Sequence, residues 1–298
     1  MTPQFAGWIT ACVAHYRCHR YVRRAVESLL QQSYPWIRIV VINDGDPVPP
    51  WRELAPINDS RILKFNLKNN HGCFFCWEVV RQATPDAYFM MQDADDWAVP
   101  DRAAILLNSL LSNNSDLAVS AQPQFCESSD GTPYQVSIRW NREENEETQS
   151  RFVLQHSVTD KFSYRAPHHG LIRVSALRRV GGYYGGFRVG WDVLLTNLIL
   201  MTGSISWTPE PLYYRLVRSD SLTHSSQTGA QTEYATAVSR CLQEIYKDCY
   251  AQYRLRVTGR INRTQLCAAI RHISGRHVSS KERTALMLHV GRLRGMMI

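Results

Sequence analysis

Three carboxylates stand close together directly after a short apolar run. The run Tyr88 to Met91 has the pattern of a buried strand, and Asp93, Asp95 and Asp96 follow it at once. Gathered carboxylates repel one another and lose solvation, so a fold that gathers them needs a compensating partner. A divalent cation is a common partner, since Mg²⁺ binds one or two carboxylates together with phosphate oxygens. The alternative is a solvated acidic turn before the helix that Pro100 begins.

Two further acids occupy comparable places in the chain. Asp44 follows the β-branched run Ile37 to Ile42, and Asp192 stands at the start of an apolar helical segment. In an open α/β sheet, ligands bind beyond the carboxyl ends of the strands. A metal site, a catalytic base and an acceptor for a nucleobase would use acids placed in this way. Aspartate is also favoured at helix starts, and capping is the simpler interpretation of Asp192 alone.

The elements that must position these acids alternate regularly in the first part of the chain. Predicted strands are Trp8 to Val13, Ile37 to Ile42, Arg61 to Phe65, Tyr88 to Met91 and Leu117 to Ala121, and predicted helices are Arg20 to Gln32, Cys73 to Gln82 and Asp101 to Ser112. In the last helix we expect Ala104, Leu107 and Leu111 to face the core. This alternation favours a mainly parallel sheet with helices on both faces.

The pattern changes after Pro123. The acidic stretch 142–147 predicts an exposed loop or an excursion over the site. Further on, predicted helices are Leu177 to Val180 and Asp192 to Met201, and predicted strands are Ser204 to Trp207 and Leu212 to Leu216. From Tyr234 onward, apolar residues recur at three- and four-residue steps in three stretches, which predicts a helical carboxyl-terminal part.

Composition and charge restrict the class of protein. The 298 residues, 44% of them hydrophobic, suffice for a full core, and no run approaches the roughly 18 apolar residues of a membrane span. The first residues lack the features of a signal peptide, and the eight cysteines are scattered, so we expect a cytoplasmic protein with reduced thiols. The Cys73 and Cys76 pair has redox spacing, but its bulky surroundings favour core packing.

The positive charge is concentrated near the carboxyl end. Residues 254–298 hold ten Lys or Arg and one acid, a charge of +9, whereas the preceding residues sum to −1. Such a tail suits a membrane surface, nucleic acid or an acidic partner, and a solvated helical face explains it equally well. Peripheral membrane contact and a homodimer through these helices stay open, while the neutral body argues against nucleic acid as the main partner.

Six segments, taken in order, resemble the family 2 inverting glycosyltransferases of the GT-A fold over about Ile9 to Thr223. They are Ala14-His15-Tyr16-Arg17, Val41 to Asp46, Asn70-His71-Gly72, Asp93 to Asp96 with Pro100-Asp101-Arg102, Val180 to Tyr183 with Trp191-Asp192, and 203–212 with 221–223. The resemblance implies an α/β GT-A domain with a carboxyl-terminal helical extension. Residues 1–125 would bind the nucleotide sugar, 126–228 would carry the acceptor site and the base, and 229–298 would form the extension.

The resemblance also implies roles on the donor side. Ala14 and Tyr16 would line the base pocket, with Tyr16 stacking, and Asp44 would accept a hydrogen bond from uracil or its equivalent. Asp93 and Asp95 belong to the Asp-x-Asp motif; Asp93 would support its loop, and Asp95 would hold the ribose or the metal.

The remaining implied roles concern the metal and catalysis. Asp96 would ligate the Mn²⁺ or Mg²⁺ that bridges the diphosphate, and Asp192 would be the general base that deprotonates the acceptor hydroxyl. Arg218 would reach the diphosphate when the loop 215–226 closes. His224 lies where some GT-A enzymes supply a third metal ligand, with a surface position as the alternative.

The sequence departs from the family pattern at several positions. Trp191 replaces a glutamate, which removes one acceptor-side carboxylate, and the tryptophan would either stack on an acceptor or pack in the core. Trp77 stands where the family often has an arginine near the diphosphate. His15 and Arg17 replace threonine and asparagine in the first motif. The pair His168-His169 lies near the expected sugar pocket, as polar lining or as surface.

The function implied is metal-dependent inverting transfer from a UDP-sugar, or else a dTDP- or GDP-sugar, to a hydroxyl of a glycan, a lipid-linked sugar or a natural product. A nucleotidyltransferase should show a glycine- and lysine-rich amino-terminal phosphate loop, and the equivalent turn has neither residue. A processive polysaccharide synthase should have membrane spans, and no apolar run of this sequence is long enough for one. A non-enzymatic basic interaction protein that uses the carboxyl-terminal helices is the other alternative.

Overall fold

The computed structural model describes residues 4–139, 158–229 and 231–297. The strands are β1 (Ile9–His15), β2 (Ile37–Asp44), β3 (Ile62–Leu67), β4 (Tyr88–Asp93), β5 (Trp97–Ala98), β6 (Leu117–Glu127), β7 (Pro133–Arg139), β8 (Leu171–Arg173), β9 (Ile205–Pro211) and β10 (Tyr213–Leu216). The helices are α1 (His19–Leu30), α2 (Cys73–Ala83), α3 (Arg102–Ser112), α4 (Val174–Val180), α5 (Trp191–Thr202), α6 (Glu233–Val257), α7 (Arg263–Ser274) and α8 (Ser280–Gly295). The predicted alternation of the first part is confirmed.

One twisted sheet of mixed direction organises the molecule. Its strands follow the order β3-β2-β1-β4-β8-β6-β10-β5, and β7 and β9 also pair with β6. The first four strands in this order are parallel, as predicted, whereas β8 runs antiparallel to both β4 and β6. The short β8 therefore joins the parallel amino-terminal half to the second half of the sheet.

Alternation of apolar side chains along the central strands covers both faces of the sheet. In β2, Ile37, Ile39 and Val41 belong to one buried cluster, while Val40 and Ile42 belong to the other. Helices α1 and α3 pack in the first cluster, and α2, α4 and α5 in the second. A strand buried on both faces is continuously apolar, which explains the β-branched run seen in the sequence.

Two predictions need correction. Leu111 was expected to face the core, but it is 43% exposed, and the buried face of α3 consists of Ala103, Leu106, Leu107 and Leu110. The stripe begins one residue earlier than predicted, which rotates Leu111 to the solvent. Strand β6 was expected to end near Ala121, but it continues through Pro123 to Glu127 because β7 pairs with it as an added antiparallel strand. The predicted acidic excursion at 142–147 lies outside the described residues.

The three carboxyl-terminal helices belong to the core of the domain. Their apolar stripes, with Val238, Ile245, Ile270 and Leu293, are buried in the same cluster as α2, α4 and α5. Helix α6 packs on α5, α7 on α4, and α8 on α2. The Tyr184 hydroxyl donates a hydrogen bond to Glu282 of α8. Among the described residues, no helix combines the length and the apolar character that a bilayer crossing requires.

Candidate active site

The ends of three parallel strands bring the predicted donor residues to one edge of the sheet. Ala14 of β1 pairs with Asp93 of β4, and His15 pairs with Asn43 of β2. Because the strands are parallel and in register, the segments after β1, β2 and β4 leave the sheet together. The residues predicted to hold a nucleotide therefore start from neighbouring backbone positions.

Asp44 ties the end of β2 to the turn before α2. It is buried, and its two oxygens accept hydrogen bonds from the backbone N–H groups of His71 and Gly72, both at 2.8 Å. Burial raises the pKa of Asp44 to about 6, although the two N–H donors oppose that change. Gly45 adopts φ +72°, and a Cβ there would lie 2.3 Å from the carbonyl carbon of Asn69. Only glycine fits where the two loops meet.

Tyr16 offers an aromatic face near this edge. It lies two residues beyond Ala14, is 37% exposed, and has the Arg17 guanidinium 5.2 Å from its ring centroid. Ala14 itself is partly buried. An exposed ring beside a charged neighbour suits the stacking role predicted for Tyr16, and that role stays a prediction.

In the acidic cluster after β4, Asp96 is buried and Asp93 and Asp95 are partly buried, and all three already contact polar groups. Asp93 Oδ2 lies 2.9 Å from His169 Nε2, and Asp95 Oδ2 lies 2.8 Å from Arg218 Nε. Asp96 accepts a 2.7 Å hydrogen bond from the backbone N–H of Leu216. These contacts bring β10 and the loop after it against the loop that follows β4.

The three carboxyls differ in their electrostatics. Burial first, and then the charges of Asp95 and Asp93, raise the pKa of Asp96 well above its usual value. Burial and the Asp93 charge likewise raise the pKa of Asp95, against the effect of Arg218. For Asp93, burial opposes ionisation, but the contact with His169 outweighs it and lowers the pKa. An added cation would favour ionisation of Asp95 and Asp96.

Asp192 lies in the first turn of α5 and faces His168. Its Oδ2 is 3.4 Å from His168 Nδ1, and 23% of its side chain is exposed. Burial opposes ionisation, but the His168 interactions more than compensate, so the pKa of Asp192 is lowered. The N-cap residue of α5 is Gly190, not Asp192, and it supplies no side-chain cap. The capping interpretation is therefore wrong, and Asp192 is an ionised carboxylate with partial access to solvent.

Two consecutive histidines connect Asp192 to the acidic cluster. The rings of His168 and His169 are 3.9 Å apart, and each contacts one of the two carboxylates, Asp192 and Asp93. Both histidines are buried, and the His169 ring stacks on Tyr213 at 4.8 Å. The sequence placed this pair near the sugar pocket without choosing between lining and surface. Two adjacent histidines before Gly170 were the available signal.

Glycine is required directly after the pair. A Cβ at position 170 would lie 2.1 Å from the carbonyl oxygen of Ala118 in β6. This close approach of two backbones holds the histidines between β4 and β6.

The two tryptophans that depart from the family pattern are core residues. Trp191 is 1% exposed, and its ring lies against Gly185, where a Cβ would meet the indole at 2.0 Å. Trp77 is also 1% exposed, and its ring centroid lies 5.6 Å from that of His168. Trp191 thus packs in the core instead of stacking on an acceptor. Trp77 cannot supply the cationic contact of the arginine it replaces.

The predicted residues of the carboxyl-terminal loop fall in two places. Arg218 binds Asp95 and Asp220, and its guanidinium lies 5.0 Å from the Tyr21 ring centroid. His224 is exposed, and its Nδ1 lies 2.9 Å from the Ser221 hydroxyl. Arg218 is therefore part of the assembled site, whereas the contacts of His224 are within its own loop.

The geometry tests whether a divalent ion fits. Within the described ranges, Asp93, Asp96 and His169 have ligating atoms within 4.8 Å of one another, in a set that includes neither Asp95 nor His224. Two carboxylates and one imidazole fit Mn²⁺ or a similar ion. The structure thus brings one of the predicted ligands, Asp96, together with two residues that were not predicted as ligands. The predicted set of Asp96, Asp95 and His224 stays a prediction.

Comparison with known proteins identifies the family. Residues 10–181, more than half of the chain, match the model of glycosyl transferase family 2. The chain belongs to glycosyl transferase family 2. The glycosyltransferase GlyA of Streptococcus pneumoniae is 29% identical over 123 residues, 40% of this chain and 17% of GlyA.

A second curated relative comes from Escherichia coli. The UDP-Glc:alpha-D-GlcNAc-diphosphoundecaprenol beta-1,3-glucosyltransferase WfaP is 29% identical over 93 residues, 30% of this chain and 36% of WfaP. The chain thus aligns with well under two thirds of the length of either relative.

The family 2 chain also shares its fold with solved structures. S. aureus TarS 1-349 superposes with a TM-score of 0.58 at 14% identity, covering 96% of this chain and 89% of that one. Its complex with UDP-GlcNAc gives a TM-score of 0.57 with the same coverage. At this identity the likeness concerns the fold alone, and it confirms the predicted GT-A architecture with its carboxyl-terminal helices.

Proposed function

We propose that this family 2 protein is an inverting, metal-dependent glycosyltransferase that uses a UDP-sugar. The observation that supports the proposal most directly is the link from Asp192 through His168 and His169 to Asp93. It sets an ionised carboxylate at one end and the acidic cluster at the other, as transfer between a nucleotide sugar and an acceptor requires. WfaP is named for UDP-Glc and TarS was solved with UDP-GlcNAc, which favours a uridine donor.

On the donor side, Asp96, Asp93 and His169 would hold the divalent ion. When bound, the ion neutralises the charge that the departing diphosphate gains as the glycosidic bond breaks. Arg218, held by Asp95, adds a second positive charge on that side of the site. Since Trp77 is buried and uncharged, Arg218 takes over the cationic contact that the family often places there.

The nucleobase would lie against Tyr16, with Ala14 at the base of the pocket. Asp44 already accepts one backbone N–H on each oxygen, so it would bind the base with a remaining lone pair. Its main effect on the site is to hold the β2 end and the turn before α2 in place.

On the acceptor side, Asp192 would act as the general base. Its lowered pKa keeps it ionised at neutral pH, and its partial exposure lets a hydroxyl approach. His168 lies 3.4 Å from one oxygen of the carboxylate, and the other oxygen is left for the acceptor hydroxyl. Attack by the deprotonated hydroxyl on the side opposite the diphosphate inverts the anomeric configuration. A glycan or lipid-linked hydroxyl is the acceptor we propose, in line with the name of WfaP.

A thermal-shift panel of UDP, TDP and GDP, with and without Mn²⁺, tests the donor class. A ligand present at 100 times its Kd raises the unfolding free energy by about 2.7 kcal/mol. We expect UDP with Mn²⁺ to give the largest shift, and Asp96→Asn to abolish the Mn²⁺-dependent part. Equal shifts with all three nucleotides, or a UDP shift that chelator leaves intact, would refute the donor or the metal assignment. The anomeric configuration of a product, measured by NMR, tests inversion.

We also propose that α8 contacts an anionic membrane surface. Its outer face exposes Met287 by 62% and Leu288 by 59%, and Arg283, Arg292 and Arg294 are exposed on the same helix. Apolar side chains among basic ones suit an interfacial helix. We expect binding to phosphatidylserine vesicles that weakens with salt and is lost in the double variant Met287→Gln, Leu288→Gln. Self-association of the free protein through this face, with no vesicle binding, would favour a homodimer instead.

A further inference from the structure

A second cluster of metal-binding side chains flanks the turn that carries Tyr16. His15 ends β1, His19 begins α1, and Asp46 follows β2. The ligating atoms of the three residues lie within 4.8 Å of one another. None of the three has a role in the proposed sugar transfer, so the cluster needs a separate explanation.

His15 is the residue of this cluster whose surroundings most need an explanation. It is fully buried, and within the described ranges neither of its ring nitrogens makes a hydrogen bond of good geometry, although the Asn43 side chain lies beside the ring. A buried polar group without a partner costs about 1–3 kcal/mol, so such groups are rare in folded proteins. Burial favours the neutral imidazole, which is the form that binds a metal.

The other two residues are oriented as metal ligands usually are. Nε2 of His19 lies 2.6 Å from the carbonyl oxygen of Val48. A carbonyl only accepts, so Nε2 carries the proton and Nδ1 keeps a free lone pair. Asp46 is buried, and its two oxygens accept backbone N–H groups from Arg17 at 2.8 Å and Val48 at 3.0 Å. Outer-shell contacts of this kind fix the ligands of a metal and leave lone pairs for it.

A fourth donor lies close by. One carboxylate oxygen of Glu53 is shielded from solvent and has no hydrogen-bond partner within the described ranges, and its charge influences His15. Glu53 and His19 line the same surface pocket, of about 360 Å³. The pocket opens on the His19 side of the cluster, and Arg20, Arg23 and Arg52 also line it.

We propose that His15, His19 and Asp46 bind Zn²⁺ or a similar transition-metal ion, with Glu53 or water as the fourth ligand. Two imidazoles and one carboxylate form a tetrahedral zinc set, whereas sites made of carboxylates and phosphate suit Mg²⁺ and Mn²⁺. The ion would join β1, α1 and the loop after β2 around Tyr16. One of the ligands, His15, stands where the family motif has a threonine.

The 298-residue chain, stripped of metal with a chelator, is titrated with Zn²⁺ in excess Mg²⁺. Since the other cluster can also take Zn²⁺, we expect up to two Zn²⁺ per chain, one of which binds with a Kd below about 1 µM and remains in Asp96→Asn. His19→Ala and Asp46→Asn should each weaken binding by at least about 100-fold, since loss of even an outer-shell partner costs about 10–100-fold. His272→Ala, an exposed histidine of α7, should bind Zn²⁺ as the unchanged protein does, and Asp96→Asn, in the other cluster, should keep the Zn²⁺ bound by His15, His19 and Asp46.

Co²⁺ substitution identifies the ligands. Tetrahedral N and O coordination gives visible d–d bands, and both cluster variants should lack them, whereas thiolate coordination adds a charge-transfer band in the near ultraviolet. Circular dichroism checks that each variant is folded. If His19→Ala does not fold, Asp46→Asn, which keeps the side-chain size, provides the test. No Zn²⁺ binding tighter than about 1 µM, binding unchanged in both variants, or a thiolate band would each overturn the proposal.

Discussion

The Asp192 carboxylate is ionised, partly sheltered from solvent and 3.4 Å from Nδ1 of His168. Replacement by asparagine keeps the size of the side chain but removes its basicity. We expect Asp192→Asn to lower kcat by about 10²–10⁴, the usual range for a lost general base, with little change in donor affinity. Steady-state kinetics with a UDP-sugar, together with UDP binding by calorimetry, measure the two quantities.

The matched control is Asp160→Asn, a change of the same kind at an exposed position. It should leave kcat, donor affinity and melting temperature unchanged. Nearly full activity in Asp192→Asn would remove this residue from the mechanism.

Asp44 makes the unfolding free energy depend on pH. Its pKa is raised from 3.8 to about 6 in the folded protein, so between these values the folded state binds more protons than the unfolded state. The contribution of Asp44 to stability is therefore largest below about pH 4 and falls by about 3 kcal/mol as the pH rises through 6. Asp44→Asn has no charge to titrate and should lose this dependence.

Urea unfolding of both proteins between pH 4 and 7 gives the comparison. As the pH rises from 4 to 7, the unfolding free energy of the unchanged protein should fall relative to that of Asp44→Asn. A difference that is constant over this range would contradict the raised pKa.

The acids of the site could be predicted individually, but their partners could not. Asp44, Asp93, Asp96 and Asp192 stand at strand ends or helix starts, and such positions follow from local patterns. The contacts of Asp96 with Leu216 and of Asp95 with Arg218 join residues more than 100 positions apart. No spacing in the sequence encodes those pairs. For the same reason the histidine link and the burial of Trp191 were visible only in three dimensions.

Among the loops, the tip after β2 depends on a glycine. Gly45 combines φ +72° with a Cβ position 2.3 Å from the backbone of Asn69. Gly45→Ala must both adopt a left-handed conformation and push the neighbouring loop aside. We expect a loss of more than about 2 kcal/mol in the free energy of unfolding, measured with urea, since left-handed strain alone costs about 1–2 kcal/mol.

Gly259 provides a control with the same backbone strain and no crowding. It has φ +75°, and no atom of the described part of the chain lies within 4 Å of the Cβ position. Gly259→Ala should cost only the strain, about 1 kcal/mol. Equal losses in the two variants would show that the approach of the two loops is not what constrains Gly45.

The elements of the amino-terminal half were predicted with small errors because each is defined by its own apolar pattern. Strands β7 and β8 were missed as strands, since β7 is an added hairpin partner of β6 and β8 is only three residues long. Pro123 also argued locally against a continuing strand. Pairing with distant residues decides such elements, and local propensity is a weak guide to them.

The carboxyl-terminal helices complete the core of the whole molecule. Leu293 of α8 is fully buried, whereas Leu288 on the same helix is 59% exposed. We expect Leu293→Ala to lower the free energy of unfolding by about 2–5 kcal/mol, because it leaves a cavity between α8 and the rest of the core. Leu288→Ala should change it by less than about 0.5 kcal/mol. Urea unfolding of both variants makes the comparison, and equal losses would mean that α8 is not docked.

The helical nature of residues 233–295 followed from their apolar stripes, but their packing partners did not. Charge gave no guide either, since the exposed basic residues and the buried stripe occupy the same helices. Only the folded chain shows that α8 lies on α2, and the N-cap residue of α2, Gly72, donates its backbone N–H to Asp44. By packing on α2, the carboxyl-terminal helices therefore stabilise the half of the domain that is predicted to bind the donor.

The adjacency of His168 and His169 has a consequence for how this segment can vary among proteins of the same design. One peptide bond fixes the offset between the contact with Asp192 and the contact with Asp93. A single-residue insertion or deletion next to Gly170 would move both contacts at once, where a substitution would remove only one. Relatives should therefore tolerate length changes on either side of this dipeptide but not within it. For an inhibitor that binds both carboxylates, the distance between Asp192 and Asp93 should then be the same in each of them.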